Sequence, residues 1–237
     1  MHRFFVKETG TAVTIRGEDV KHIARVLRLS QGDAVTLCDG NGMECSAVIR
    51  SIERDAVACD CEPWTPCKSE PAVSVTLFQG LPKTGKMETI LQKCVELGVY
   101  SVVPMLTRYC VVQPKESFRD RIERWQRVAE EAAKQSRRGV IPMVRDLKRI
   151  GSLDLTGFDL VLVAYENERT TSLKAALAGF SGKSIAILIG PEGGFAPEEI
   201  DSLVNKGAQS VSLGPRILRT ETAGMAMLAQ ILYEVEA

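Results

Sequence analysis

The chain of 237 residues has only two histidines, His2 and His22, and that scarcity excludes several chemistries at once. A Ser-His-Asp or Cys-His nucleophile needs an imidazole beside it, and no such arrangement is visible, so covalent catalysis is not expected. A structural zinc needs four ligands, and Cys59, Cys61 and Cys67 without a nearby histidine fall short, so no metal is expected. No apolar run reaches the roughly 18 residues of a membrane span, and MHRFFVKETG lacks the apolar core of a signal peptide. The expected address is the cytoplasm, with no membrane partner. Seven cysteines are an odd count in a chain large enough to need no staples, which predicts reduced thiols.

Net charge is also absent, with 30 basic and 30 acidic side chains, but the balance is uneven. Residues 1–80 carry 9 basic and 11 acidic groups, residues 81–150 carry 15 and 8, and residues 151–237 carry 6 and 11. The basic middle holds Arg119, Arg121, Arg124, Arg127, Lys134, Arg137 and Arg138. That density suits a polyanion such as RNA, or equally a solvated helix face whose Glu123, Glu130 and Glu131 pair with the arginines.

What the chain does have is concentrated after residue 184. SIAILI is a β-branched strand that ends in Gly190-Pro191-Glu192-Gly193-Gly194, and Pro197-Glu198-Glu199 reads as the first turn of a helix. A second cycle follows: a short strand at 211–213, a break at Gly214-Pro215, and an amphipathic helix over 220–235. Two glycine loops therefore sit at carboxyl ends of strands, where open α/β sheets bind ligands. The GPEGG spacing has neither G-x-G-x-x-G nor a Gly-Lys-Ser/Thr ending, which disfavours dinucleotides and nucleoside triphosphates.

Upstream, apolar runs at 3–6, 12–15, 34–38, 45–52 and 56–61 predict a small β domain interrupted by one helix over 17–29. Asp39-Gly40-Asn41-Gly42 is a hairpin turn that pairs 35–38 with 44–49. In the helix, Arg25 and Arg28 fall on one face and could grip a phosphate, while Val26, Leu27 and Leu29 face the core. Prolines near 62–71 mark a linker. Strands at 73–79, 99–106 and 159–164 then alternate with helices at 87–98 and 117–138, which argues a parallel α/β sheet covered on both faces. Lys83, Lys86 and Arg108 lie near strand ends, at the mouth of a site.

LIGPEGGFAPEEI followed by LGPRILRTETA resembles the paired motifs of the ribosomal small-subunit RNA methyltransferase E family, in the SPOUT superfamily. The resemblance extends in order through His22, Arg25-Val26-Leu27-Arg28-Leu29, Lys83, Lys86-Met87-Glu88, Glu96-Leu97-Gly98-Val99, Arg108, Arg124-Trp125 and Gln135-Ser136. It implies a PUA-like β-barrel that holds RNA over residues 1–70. Over residues 71–237 it implies an α/β methyltransferase domain with a trefoil knot, which connection rules alone would not predict. It further implies S-adenosylmethionine as cofactor, methylation of N3 of a uridine in 16S (small-subunit) ribosomal RNA or the assembled subunit, and a homodimer.

On that reading Leu188, Leu213, Ile217 and Leu218 sandwich the adenine, with backbone groups at Gly190, Gly193, Gly214, Ile217 and Leu218 on its edge and ribose, and Pro191, Glu192, Gly194 and Arg219 completing the cofactor site. The uridine imide must lose its proton to become nucleophilic, and an arginine aimed at a carbonyl oxygen eases that loss. Arg219 is the first candidate and Arg138 and Arg108 the second. Glu221 orients an arginine, accepts the proton through water, or caps the last helix. Arg25, Arg28, Lys83, Lys86, Arg124 and Arg137 are the expected RNA contacts.

Overall fold

The computed structural model describes residues 2–83, 85–112 and 118–236. The chain divides into two compact units, Met1–Glu70 with Ala133–Ile141, and Pro71–Ala132 with Pro142–Ala237. A single cut after residue 70 does not anticipate the return of Ala133–Ile141 to the first unit. Long-range bonds cause it: the Glu70 carboxylate accepts the Gly139 N–H at 2.7 Å and the Val140 N–H at 3.1 Å, and pairs with Arg138 at 2.6 Å.

The first unit is an open mixed sheet. Its strands are β1 (His2–Phe5), β2 (Ala12–Arg16), β3 (Ala34–Cys38), β4 (Met43–Ile52), β5 (Ala56–Cys61) and the two-residue β6 (Thr65–Pro66). The order is β1-β3-β4-β5-β2, with β6 on β4; only β1–β3 is parallel. The turn at 39–42 sets the expected hairpin register, with Val35 opposite Ala47 and Cys38 opposite Glu44. Alternation then sends Val35, Leu37, Cys45, Ala47, Ile49 and Val57 into one core.

The helix expected over 17–29 takes a different form. A short α1 (Glu18–Lys21) runs into a π-helical turn, His22–Leu27, and Arg28 follows at φ 54. Bonds from i to i+5 widen the turn and rotate its side chains relative to an α-helix. Val26 is accordingly 66% exposed instead of facing the core, whereas Leu27 and Leu29 do pack against it. Arg28, in the left-handed region, shares no helix face with Arg25, so the expected paired grip does not form.

The second unit alternates strand and helix: β7 (Ser74–Gly80), α2 (Lys86–Glu96), β8 (Ser101–Leu106), α3 (Phe118–Gln135), β9 (Met143–Val144), β10 (Lys148–Arg149), β11 (Leu160–Ala164), α4 (Leu173–Leu177), β12 (Ser184–Ile189), α5 (Pro197–Asn205), β13 (Gln209–Val211) and α6 (Thr220–Val235). The start expected for α3 at Ser117 lies outside the described residues. The sheet runs β10-β8-β7-β12-β11-β13 with β9 also on β8, and every pair is parallel. β7 and β12 are the central strands, buried on both faces, which is why both are dominated by apolar residues. Burying Ile185, Ile187 and Leu188 fully contributes about 1.5–3 kcal/mol each.

The last strand is Gln209–Val211, not 211–213, so Ser212 to Arg219 form one irregular loop. α6 packs on α2 and on β12 and β7. Its buried stripe, Ala223, Met227, Leu228, Ile231 and Leu232, has the expected helical spacing. Among the described residues no helix is long and apolar enough to cross a membrane. The seven thiols are free, and burial pushes that of Cys94, on the apolar face of α2, up to about 12.

Candidate functional site

The carboxyl ends of β11, β12 and β13 open into a cavity of about 470 Å³. Its walls are the segments that leave those strands, Tyr165 to Arg169, Gly190 to Phe195, and Ser212 to Thr220, with Lys86 from the first turn of α2. The volume is in the range that takes a small-molecule ligand, and the position is where parallel sheets bind one.

The Gly190–Gly194 loop is built for close approach. Gly194 has φ +68, and a Cβ there would fall 2.5 Å from Glu166 Oε1; a Cβ on Gly193 would fall 2.8 Å from that of Tyr109. A side chain at Gly193 would push the loop off Tyr109, and one at Gly194 would strain the backbone and displace the exposed Glu166 carboxylate. A buried hydrogen-bond chain holds its first residue. The Thr220 hydroxyl donates to the Gly190 carbonyl at 2.6 Å and accepts from Gln79 Nε2 at 2.9 Å, and that nitrogen also donates to the Gly80 carbonyl at 3.0 Å. The end of β7, the glycine loop and the start of α6 are thereby tied at one point.

Across the cavity wall, Lys86 Nζ lies 3.2 Å from Glu192 and 3.0 Å from Glu221. Glu192 also accepts the Lys83 N–H at 3.1 Å. The hydrogen bonds to Glu221 and Glu192 raise the Lys86 pKa. Burial pulls Glu192 upward, but backbone N–H donors and Lys86 outweigh it and leave its pKa lowered. Glu221 is lowered by its own backbone N–H, against opposing burial, and further by Lys86. A carboxylate so stabilised in its charged form is a poor proton acceptor, so the geometry favours Glu221 as a structural clamp over a base. Lys86 is equally committed to this clamp rather than to a phosphate.

The loop after β11 is pinned from within. Glu168 accepts from the Thr170 hydroxyl at 2.6 Å, its N–H at 2.7 Å and the Thr171 N–H at 3.1 Å, which holds its carboxyl down to about 2. Arg169 donates to the Glu166 carbonyl at 2.6 Å. The 213–219 loop contrasts with it. The backbone N–H groups of Arg216, Ile217, Leu218 and Arg219 have no hydrogen-bond partner among the described residues, and Ile217 is 83% exposed. Such a run of unpaired donors beside aliphatic side chains is suited to a flat, partly polar ligand.

Gly190, Pro191, Glu192, Gly193, Gly194, Leu213, Gly214, Ile217, Leu218 and Arg219, the residues the resemblance implies, all line the cavity. Leu188 does not: strand alternation turns it into the apolar cluster with Val163, Phe195 and Leu203, and Ile189 faces the cavity instead. Arg108 is not among the lining residues either; it pairs with Glu198 at 3.3 Å on the surface, and its N–H donates to Glu199 at 2.8 Å. Arg138 belongs to the first unit, is 3% exposed, and has its guanidinium paired with Glu70. Arg25, Arg28 and Arg137 are exposed in the first unit, while Lys83 and Arg124 line a separate small hollow. Sequence reasoning missed Gln79 and Arg169. The available signal for Gln79 was a long polar amide at the end of a strand that is buried on both faces.

The comparisons agree with this architecture. Residues 68–232 match the family model described as an RNA methyltransferase domain, and residues 15–60 the one described as an RNA methyltransferase PUA domain. The ribosomal RNA small subunit methyltransferase E of Bacillus subtilis is 35% identical over all of this chain and 98% of its own length. That of Mycobacterium bovis is 32% identical over 94% of this chain and 87% of its own. The crystal structure of the corresponding enzyme of Neisseria gonorrhoeae, bound to S-adenosyl methionine, superposes with a TM-score of 0.85 at 28% identity over 99% of this chain and 98% of that one. With a PUA sheet, a parallel α/β unit and relatives matched from end to end, the chain belongs to the ribosomal RNA small subunit methyltransferase E family.

Proposed function

We propose that this protein methylates N3 of a uridine in 16S (small-subunit) ribosomal RNA, using S-adenosylmethionine held in the cavity between the 190–194 and 212–219 loops. The observation that carries the reading is the row of unpaired N–H groups at 216–219, in a loop that lines one cavity together with the close-packed glycine loop. Those donors suit the edge of an adenine, and Leu213, Ile217 and Leu218 supply aliphatic surface for its faces. The residues present therefore fit the cofactor. When bound, it supplies an activated methyl group on a sulfonium.

The chain's own part is binding, orientation and charge. Thr220 and Gln79 hold the Gly190 carbonyl in place, and the Lys86–Glu192–Glu221 clamp fixes the start of α2 and α6 against the same loop. Arg219 lines the cavity immediately before α6, and its guanidinium stabilises negative charge on a uracil oxygen as the N3 proton leaves. The reading also takes the carboxyl-terminal segment to be knotted and the working form to be a homodimer.

The test is a methylation assay on small-subunit ribosomal RNA and on small subunits from cells lacking the protein, read by mass spectrometry of nucleosides. N3-methyluridine should appear with the wild-type protein. Arg219→Ala should lower kcat by about 10²- to 10³-fold with cofactor affinity changed by only a few fold, as for loss of one charge-stabilising group. Full turnover by the variant at saturating cofactor and RNA would remove Arg219 from the mechanism; a different modified base would correct the substrate assignment.

A further inference from the structure

Beside the first turn of α2 lies a second hollow of about 120 Å³, and we propose that it seats a backbone phosphate of the RNA being methylated, an inference that rests on the reading above. Leu81, Met87 and Trp125 form its apolar floor, and Lys83, Arg121 and Arg124 stand around it. Against these cations the lining offers one carboxylate among the described residues, Glu88. The surplus is positive.

The cations are held, not loose. Trp125 is buried, and its indole N–H donates to Glu88 Oε1 at 3.2 Å, the same oxygen that pairs with Arg124. Phe118 packs edge-on against Trp125 with ring centroids 5.6 Å apart, and the Arg121 guanidinium lies over the Phe118 ring at 5.9 Å. Arg121 and Arg124, three residues apart on α3, thus project to one side of the helix, both exposed to an incoming strand.

Size and charge select the ligand class. The hollow is well below the roughly 300 Å³ at which small-molecule sites begin, so a whole nucleotide or cofactor is too large for it, whereas a phosphodiester needs little enclosure and several fixed donors. Its location links it to the donor cavity: Lys83 stands at this hollow while its backbone N–H bonds Glu192 in the wall of the other. RNA gripped here is delivered to the mouth of the methyl-donor site.

The test compares wild type, the double variant K83A/R121A, and R121K in binding to small ribosomal subunits from cells lacking the protein and to naked small-subunit ribosomal RNA, over a series of KCl concentrations. Both substituted positions are exposed, so folding should be unaffected. The double variant should bind RNA on the order of ten- to a hundredfold more weakly, and its slope of log K against log salt should flatten by about 0.7 to 1, with R121K keeping the wild-type slope. Affinity for S-adenosylmethionine should stay within twofold. Unchanged RNA affinity and slope in the double variant would overturn the phosphate seat while leaving the methyltransfer reading intact. An equal loss of cofactor affinity would show a structural role and overturn it too. A wild-type protein that takes up neither cofactor nor RNA would instead overturn the reading on which it rests.

Discussion

Thr220→Val should weaken S-adenosylmethionine binding at least tenfold and lower the melting temperature of the protein by roughly 5–10 °C. Valine matches threonine in shape, so packing is conserved and the loss isolates the hydroxyl. That hydroxyl satisfies the Gly190 carbonyl and receives one Gln79 donor, inside a region where Thr220 is 5% exposed and Gln79 fully buried. Leaving two such groups unsatisfied costs about 1–3 kcal/mol each. No slack exists to absorb it, because Gln79 Oε1 already lacks a partner among the described residues. The glycine loop would lose its anchor to α6, and the cavity between them its shape. Thr220→Ser, which keeps the oxygen, should recover most of the affinity. Calorimetric titration and thermal unfolding read both effects, and a valine variant that binds like wild type would show that the chain of bonds does not shape the site.

Gly194→Ala should be comparably damaging, and a control separates its causes. Alanine in the left-handed region costs about 1–2 kcal/mol wherever it occurs. Gly207, at φ +93 with open space around its Cβ direction, measures that cost alone within the same unit. Gly194 adds displacement of the Glu166 carboxylate, whose flexible end swings aside at little cost in stability but does so within the cavity that both residues line. Gly207→Ala should therefore reduce stability by about 1–2 kcal/mol and leave cofactor affinity unchanged, whereas Gly194→Ala should also reduce affinity at least tenfold. Adding Glu166→Ala should recover part of that affinity by removing the obstructing carboxylate. Equal behaviour of the two single variants would mean that backbone strain, not the close approach, is what alanine disturbs.

Local pattern made most of this molecule legible in its sequence. Short apolar runs located the five main strands of the first unit, and the Asp39–Gly42 turn set a register that the structure keeps. The apolar run of β12 reads as a buried parallel strand with a glycine loop at its end, while the ten assigned cofactor residues that line one cavity come from the family resemblance. What the sequence hid was set by contacts between distant residues. Glu70 draws Ala133–Ile141 back to the first unit and engages Arg138, a residue of the basic middle whose carboxylate partner lies 68 positions away. The π-helical turn exposes Val26 for reasons no α-helical period can express. Lys86, read as a free cation, is held by carboxylates 106 and 135 positions further along the chain, at Glu192 and Glu221. Leu188 shows the limit at its smallest scale, since a one-residue step along β12 decides whether a side chain meets the core or the ligand.

Titration of the purified wild-type protein with S-adenosylmethionine by isothermal calorimetry tests the central claim most directly. Saturable uptake with a dissociation constant on the order of micromolar, lost or weakened at least tenfold in Thr220→Val and Gly194→Ala, is the predicted result. No measurable uptake at millimolar cofactor, or uptake that both variants leave untouched, would contradict it.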